Sequence, residues 1–349
     1  MTDILALARP DIIALKAYSH ASWDPAFERL HANELPWRAE TDRSIAGLNR
    51  YPEPHPHALA QRLADLYGVP DGKLLPGRGS DESIDLLVRG FCRAGVDNVV
   101  ICPPTFGMYA VAARIQGAEV REVPLLPERG FALDTAHVLA ACDANTKIVF
   151  LCSPNNPTGN AMEPAAIEQL LATLANRSLV VVDEAYIEFS GDASLATALT
   201  HFPNLVVLRT LSKAFGLAGA RVGSLIAARE IVSLLAKVIP PYSIPQLTIE
   251  AVLATLEGPQ LAIQRERVAQ IRAERERLRA ALANCGSVQK IWPSAANFLL
   301  VDFADAEVIL GAARAAKLLI RDMRNVSPHS LRISVGSPEQ NDCLIRSIP

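Results

Sequence analysis

The residues of this 349-residue chain best suited to chemistry lie in Thr210-Leu211-Ser212-Lys213-Ala214-Phe215-Gly216, with Arg221 eight positions beyond the lysine. A lysine among hydroxyls and small residues is either a surface charge or a reactive amine that attacks a carbonyl carbon. Three further clusters pose the same kind of choice. Asp183-Glu184-Ala185-Tyr186 directly follows Leu179-Val180-Val181-Val182. A carboxylate at the tip of a buried strand is costly unless it meets a positive partner, and helix capping is the plainer reading. Ser153-Pro154-Asn155-Asn156-Pro157-Thr158-Gly159 holds an amide rigidly at another strand end, or else makes an ordinary turn. Gly77-Arg78-Gly79-Ser80-Asp81-Glu82 opens a helical stretch, where small residues and free backbone N–H groups favour an anion. Glu82 stands where a dinucleotide fingerprint needs its third glycine, and the Gly-Lys-Ser/Thr of a P-loop is missing. The loop suits a single phosphate, or is a glycine turn with an aspartate cap.

Taken together, the four clusters meet the demands of pyridoxal 5′-phosphate (PLP). A lysine amine forms a Schiff base with its aldehyde. An aspartate keeps the pyridine nitrogen protonated, so that the ring accepts electrons. Asn and Tyr side chains bind the ring oxygen, and an arginine with Ser/Thr hydroxyls completes a phosphate site.

These clusters need strands to carry them. Residues 98–102, 147–152, 179–182 and 205–208 are apolar runs, separated by amphipathic stretches such as 82–92 and 164–175. Continuous apolar strands alternating with helices predict an α/β fold with a parallel sheet covered on both faces. In such sheets ligands sit beyond the carboxyl ends of the strands, where all four clusters fall. After residue 238 the pattern changes: Pro240, Pro241 and Pro245 precede a long charged helix over 259–284, with Val268, Ile271, Leu278 and Leu282 on one face. Its interleaved Arg and Glu read as a solvated surface rather than a nucleic-acid site. Strands are predicted at 298–301 and 331–335. The expected division is a large domain over 42–238 and a smaller one built from 1–41 and 239–349.

Composition narrows the partners. With 34 basic against 37 acidic residues, the net charge of −3 gives no reason to expect nucleic acid or an anionic membrane. No apolar run approaches the roughly 18–20 residues of a membrane span. The apolar stretch near the N-terminus is too short for a secretory signal, so a cytoplasmic location is expected. The six scattered cysteines read as free thiols. His55-Pro56-His57 reads as a loop, with no metal assigned.

The stretches Leu48-Asn49-Arg50-Tyr51-Pro52, 77–82, Cys102-Pro103-Pro104-Thr105-Phe106-Gly107-Met108-Tyr109, 153–159, 183–189, 209–223 and 331–336 occur in the order found in one enzyme group. The chain resembles the fold type I, aspartate-aminotransferase-like PLP enzymes, and within them the histidinol-phosphate aminotransferases. The resemblance implies a large domain with a mostly parallel sheet flanked by helices, plus a smaller α+β domain. It implies that Lys213 carries PLP and moves the proton, that Asp183 pairs with the ring nitrogen, and that Asn156 and Tyr186 bind the ring oxygen. Phe106 would stack on the ring. Ser80, Asp81, Thr210, Ser212 and Arg221 would hold the phosphate. Tyr51 would reach the cofactor of a partner subunit, which implies a homodimer. Arg332 would hold a substrate carboxylate, Arg321 and Tyr18 the phosphate of histidinol phosphate, and Asn33 would belong to the N-terminal substrate segment. The amino acceptor would be 2-oxoglutarate. An aromatic amino-acid aminotransferase, a PLP-dependent decarboxylase of a phosphorylated amino acid, and an α/β binding protein without PLP are the alternatives.

Overall fold

The β-branched runs pair as their apolar character requires. The computed structural model describes residues 4–349. A seven-stranded sheet is formed by β1 (Leu74–Gly77), β2 (Asn98–Ile101), β3 (Glu119–Glu122), β4 (Thr146–Cys152), β5 (Leu179–Asp183), β6 (Leu205–Thr210) and β7 (Gly223–Ile226), in the order β1-β7-β6-β5-β4-β2-β3. Strands β2 to β6 run parallel, while β7 is antiparallel to both β6 and β1. Alternate residues serve opposite faces. Val149, Leu151, Val180, Val182 and Val207 enter one core, and Ile148, Phe150, Val181, Val206 and Leu208 the other. Both faces are covered, which is why these strands read as unbroken apolar runs rather than alternating ones.

A second sheet is antiparallel throughout. It comprises β8 (Val288–Ile291), β9 (Phe298–Phe303), β10 (Arg321–Asp322) and β11 (Ser330–Ser334), in the order β10-β11-β9-β8. The long charged helix spans Gly258–Leu282, and its Leu278 and Leu282 are buried with Leu299, Val301 and Leu331 of this sheet. The short strands β3, β7 and β10 were not legible as apolar runs, and only the pairing ladder defines them.

The N-terminal segment does not pack as expected. Ile4, Leu7 and Ala8 are buried with Leu75, Ile84 and Leu235 of the large unit, and the Arg9 amide donates to Gly90 O at 3.0 Å. His57 is helical rather than part of a loop, opening the helix His57–Tyr67. All six cysteines are free thiols, and no helix among the described residues is long and apolar enough to cross a membrane.

One glycine fixes how the sheet edge meets the first anion-binding element. Gly223 starts β7, lying between Gly77 of β1 and Thr210 of β6. A Cβ there would come within 2.6 Å of Gly79 C and Ser80 N, both backbone atoms at the start of the helix Ser80–Phe91. Backbone cannot swing aside as a side chain can. Gly223→Ala should cost about 1–3 kcal/mol, read as a lower denaturant midpoint at unchanged slope.

Candidate active site

At the carboxyl ends of the parallel strands lies a cavity of about 560 Å³. Its walls include Ser80, Asp81, Phe106, Asn156, Asp183, Tyr186, Thr210, Ser212, Lys213, Arg221, Arg321 and Arg332. The sheet register explains the convergence, because Cys152 of β4 pairs beside Asp183 of β5, which pairs beside Leu208 of β6. Residues that follow three adjacent strands therefore reach one crevice.

Asp183 is buried, with a side-chain oxygen on each of two donors. Oδ2 accepts from the Tyr109 hydroxyl at 2.8 Å, and Oδ1 from the Ala185 amide at 3.1 Å. Loss of solvent pushes its carboxyl up to about 6, against the pull of those donors and of Lys213. It caps no helix. Lys213 opens onto the cavity with Nζ 5.7 Å from the Tyr186 ring centroid. Burial, followed by the fields of Arg332 and Arg221, holds its amine below the usual lysine value. A depressed amine is a better nucleophile at neutral pH.

Asn156 works with both ends of its amide. Its oxygen accepts from Arg332 Nη1, and its nitrogen lies 3.4 Å from the Tyr186 hydroxyl. The neighbouring Asn155 is wholly buried and ties the loop down, donating to Pro104 O at 2.8 Å and accepting from Thr105 at 3.0 Å. One asparagine builds the loop and the other faces the cavity.

The opposite wall is the helix start. Its cap is Gly79 at φ 82°, with no side-chain cap, so Asp81 is not the capping residue. Arg221 adopts φ 54° in the left-handed region, which a non-glycine residue occupies only at a cost. That turn sends its guanidinium back to Asp81 at 3.1 Å and Ser212 Oγ at 3.3 Å. A Cβ on Gly79 would meet Arg221 Nη2 at 2.7 Å, so glycine keeps this cradle open. Thr210 Oγ1 accepts the Ser212 amide at 3.1 Å and shapes the lysine loop.

Behind that loop lies a buried ion-pair set that the sequence reading missed. Arg209 Nη2 meets Glu188 at 2.6 Å, Nη1 meets Glu184 at 3.5 Å, and the guanidinium lies over the Tyr67 ring at 4.4 Å. Tyr109 was missed as well. It lies three residues beyond Phe106, in the first turn of the helix Met108–Gln116. Tyr18, Asn33 and Tyr51 do not line the cavity. They are exposed, and Asn33 and Tyr51 border a separate hollow with Glu34 and Arg50.

The donor set fits PLP. A buried carboxylate suits a ring nitrogen, an amine suits an aldehyde, Phe106 offers a ring face, and the helix start with Arg221 suits a dianionic phosphate. Fold and cavity thus define an enzyme of amine chemistry on an α/β scaffold. The chain belongs to the aminotransferase class I and II family, which it matches over residues 24–348. It is 50% identical to the histidinol-phosphate aminotransferase of Xylella fastidiosa (strain 9a5c), over 90% of this chain and 87% of that one. It is 47% identical to the enzyme of that name from Stenotrophomonas maltophilia (strain R551-3), over 99% of this chain and 96% of the relative. The crystal structure of histidinol-phosphate aminotransferase from Sinorhizobium meliloti in complex with pyridoxal-5′-phosphate matches at a TM-score of 0.76 and 27% identity, covering 86% of this chain and 82% of that chain. The chain is a PLP-dependent aminotransferase.

The raised carboxyl of Asp183 sets a stability test. Between the ordinary carboxyl value and about 6, the folded chain keeps a proton that the unfolded chain has released. Stability of the cofactor-free protein therefore falls as pH rises through that window and stays lower above it. Asp183→Asn removes the charge and keeps the shape. It should raise stability of the cofactor-free protein at about pH 7.5 by about 3 kcal/mol, with little change at about pH 4, in urea unfolding.

Proposed function

We propose that this enzyme transfers the amino group of L-histidinol phosphate to 2-oxoglutarate, giving imidazole acetol phosphate and glutamate, a step of histidine biosynthesis. The observation that carries this reading is the register of β10 on β11. Arg321 and Arg332 face each other directly across the ladder, and both line the cavity with Lys213. Like charges in that position repel. Neither has a carboxylate partner among the described residues, whereas Arg324 nearby is paired with Asp322 and Glu307. Two guanidiniums at one site without a carboxylate partner call for anions, and a planar fork binds phosphate or carboxylate equally well. The names carried by the two bacterial relatives support the same substrate.

Bound PLP supplies an aldehyde that captures the substrate amine and a ring that takes up the electron pair released at Cα. Lys213 would hold that aldehyde through its amine and, once freed, would take the proton from the substrate Cα; water would supply the oxygen of the oxo product, the amino group staying with the cofactor until 2-oxoglutarate takes it. Asp183 holds the ring nitrogen, and Asn156 and Tyr186 hold the ring oxygen. Phe106 covers one ring face. The Ser80 and Asp81 amides, Thr210, Ser212 and Arg221 hold the phosphate. Arg332 binds the glutamate carboxylate, while Arg321 binds the phosphate of histidinol phosphate; Tyr18, expected beside it, lies outside this cavity.

Tyr51 serves the site of a second copy in a homodimer, and Asn33 belongs to the N-terminal substrate segment. The exposure of Tyr51, outside its own chain's cavity, supports this reading. Glu34 holds Tyr51 in place, accepting its amide at 2.6 Å and pairing with Arg50 at 3.0 Å and Arg29 at 3.2 Å. Residues 42–238 form the large domain and 1–41 with 239–349 the smaller one, except that Ile4, Leu7 and Ala8 pack on the large domain. The enzyme works in the cytoplasm.

L-Histidinol phosphate added to the PLP form should convert it to pyridoxamine phosphate in one turnover, seen as loss of the long-wavelength absorbance. Release of carbon dioxide from a phosphorylated amino acid, without pyridoxamine phosphate, would point to decarboxylation instead. Arg332→Ala should lower kcat/KM for glutamate by about a hundredfold and, through the lost bond to Asn156, lower it for histidinol phosphate by a smaller factor. Unchanged turnover of both would remove the arginine from the site.

A further inference from the structure

The carboxylate of Asp183 has a second partner that the transamination scheme does not use. Tyr109 is wholly buried, and its hydroxyl donates to Asp183 Oδ2 at 2.8 Å. Its ring is pinned by a parallel stack on Phe150, with centroids 4.9 Å apart and planes at 3°, and by an edge contact with Phe106 at 5.7 Å. The hydroxyl is thus aimed by packing, not by chance rotation. We propose that Tyr109 is a positioning residue that acts through Asp183, biasing the proton shared between that carboxylate and the cofactor ring nitrogen toward the nitrogen. The inference rests on Asp183 being the ring-nitrogen partner.

The physical argument is a competition for one proton. Burial alone favours a neutral carboxyl beside a neutral pyridine. A donor on one of its oxygens stabilises the carboxylate, so the proton stays on the ring and the ring keeps its positive charge. Only the charged ring is a strong electron acceptor. A carboxylate has acceptor sites to spare, so the hydrogen bonds from Tyr109 and Ala185 leave room for the ring N–H. Toward Asp183 the neutral Tyr109 hydroxyl is the donor, because burial and then the Asp183 charge push its phenol well above the ordinary tyrosine value; the same hydroxyl also meets the Cys152 thiol. Other ionisable groups near the carboxylate are Lys213, Asp81 and Cys152. The amine favours the charged form of Asp183, while the Asp81 charge opposes it. The Cys152 thiol points to Pro154 O at 3.4 Å and stays protonated in its buried setting.

The test follows the proton directly. Wild type, Tyr109→Phe and Asp183→Asn are each loaded with PLP carrying nitrogen-15 in the ring, and the ring resonance is recorded at one pH. Phenylalanine keeps the ring and its stack on Phe150, so only the hydroxyl is lost. Asp183→Asn should move the resonance to the unprotonated position, and Tyr109→Phe should move it part of the way in the same direction. Single-turnover amino transfer by Tyr109→Phe should slow about tenfold, the effect of about one pKa unit on the carboxylate, with KM for both substrates within about twofold of wild type. A wild-type resonance in Tyr109→Phe, beside a shifted one in Asp183→Asn, would overturn the role of Tyr109 and leave that of Asp183 standing. An unmoved resonance in Asp183→Asn would remove Asp183 from the ring nitrogen and this inference with it.

Discussion

A carboxylate placed at the buried tip of a parallel strand is the constraint around which the site is arranged. Asp183 loses its water on folding, and its charge survives only through the partners that the fold supplies. The Tyr109 hydroxyl and the Ala185 amide hold its two oxygens, and Lys213 adds a favourable field. Even so, the carboxyl stays well above its ordinary value. Such a group is poised to accept a cationic ligand, and a protonated pyridine is the ligand that suits it. The protein stores part of the binding energy for its cofactor as an incompletely neutralised charge.

Apart from Asp81, which pairs with Arg221, the other charged groups of the cavity carry the opposite sign. Arg221, Arg321, Arg332 and Lys213 line it with Asp183, and among the described residues only Arg221 of these has an acidic salt-bridge partner. This polarity explains the depressed amine of Lys213, because neighbouring guanidiniums disfavour a further positive charge. It also explains why anionic groups at both ends of a substrate would be welcome. Substrate recognition and lysine activation thus draw on the same cluster of charges.

Support for this arrangement lies one layer out. Arg209, on the strand that leads into the lysine loop, pairs with Glu184 and Glu188 from the segment after Asp183. Glu184 also accepts the Leu195 amide at 2.7 Å. A buried pair of this kind adds little net stability, but breaking it leaves a charge without a partner. It therefore fixes the relative placement of the two segments that carry the carboxylate and the amine.

Much of this was written locally. The runs 147–152, 179–182 and 205–208 are apolar enough to be strands by composition alone, and the polar residues that follow them are adjacent in sequence. Asp183, Asn156 and Lys213 could be picked out because each stands within a few residues of a strand end, and Arg221 by its place eight residues after the lysine. What could not be read locally were contacts closed across the chain. Tyr109 meets Asp183 across 74 positions, and Arg332 meets Asn156 across 176. The facing of Arg321 and Arg332 depends on a two-residue strand whose register no composition records. Ile4 and Leu7 read only as apolar, and packing decided that they belong against the large unit. Sequence determined which groups stand at the ends of strands, since backbone preference and burial act over a few residues. Tertiary structure alone decided which of those groups meet, because that depends on strand order and register.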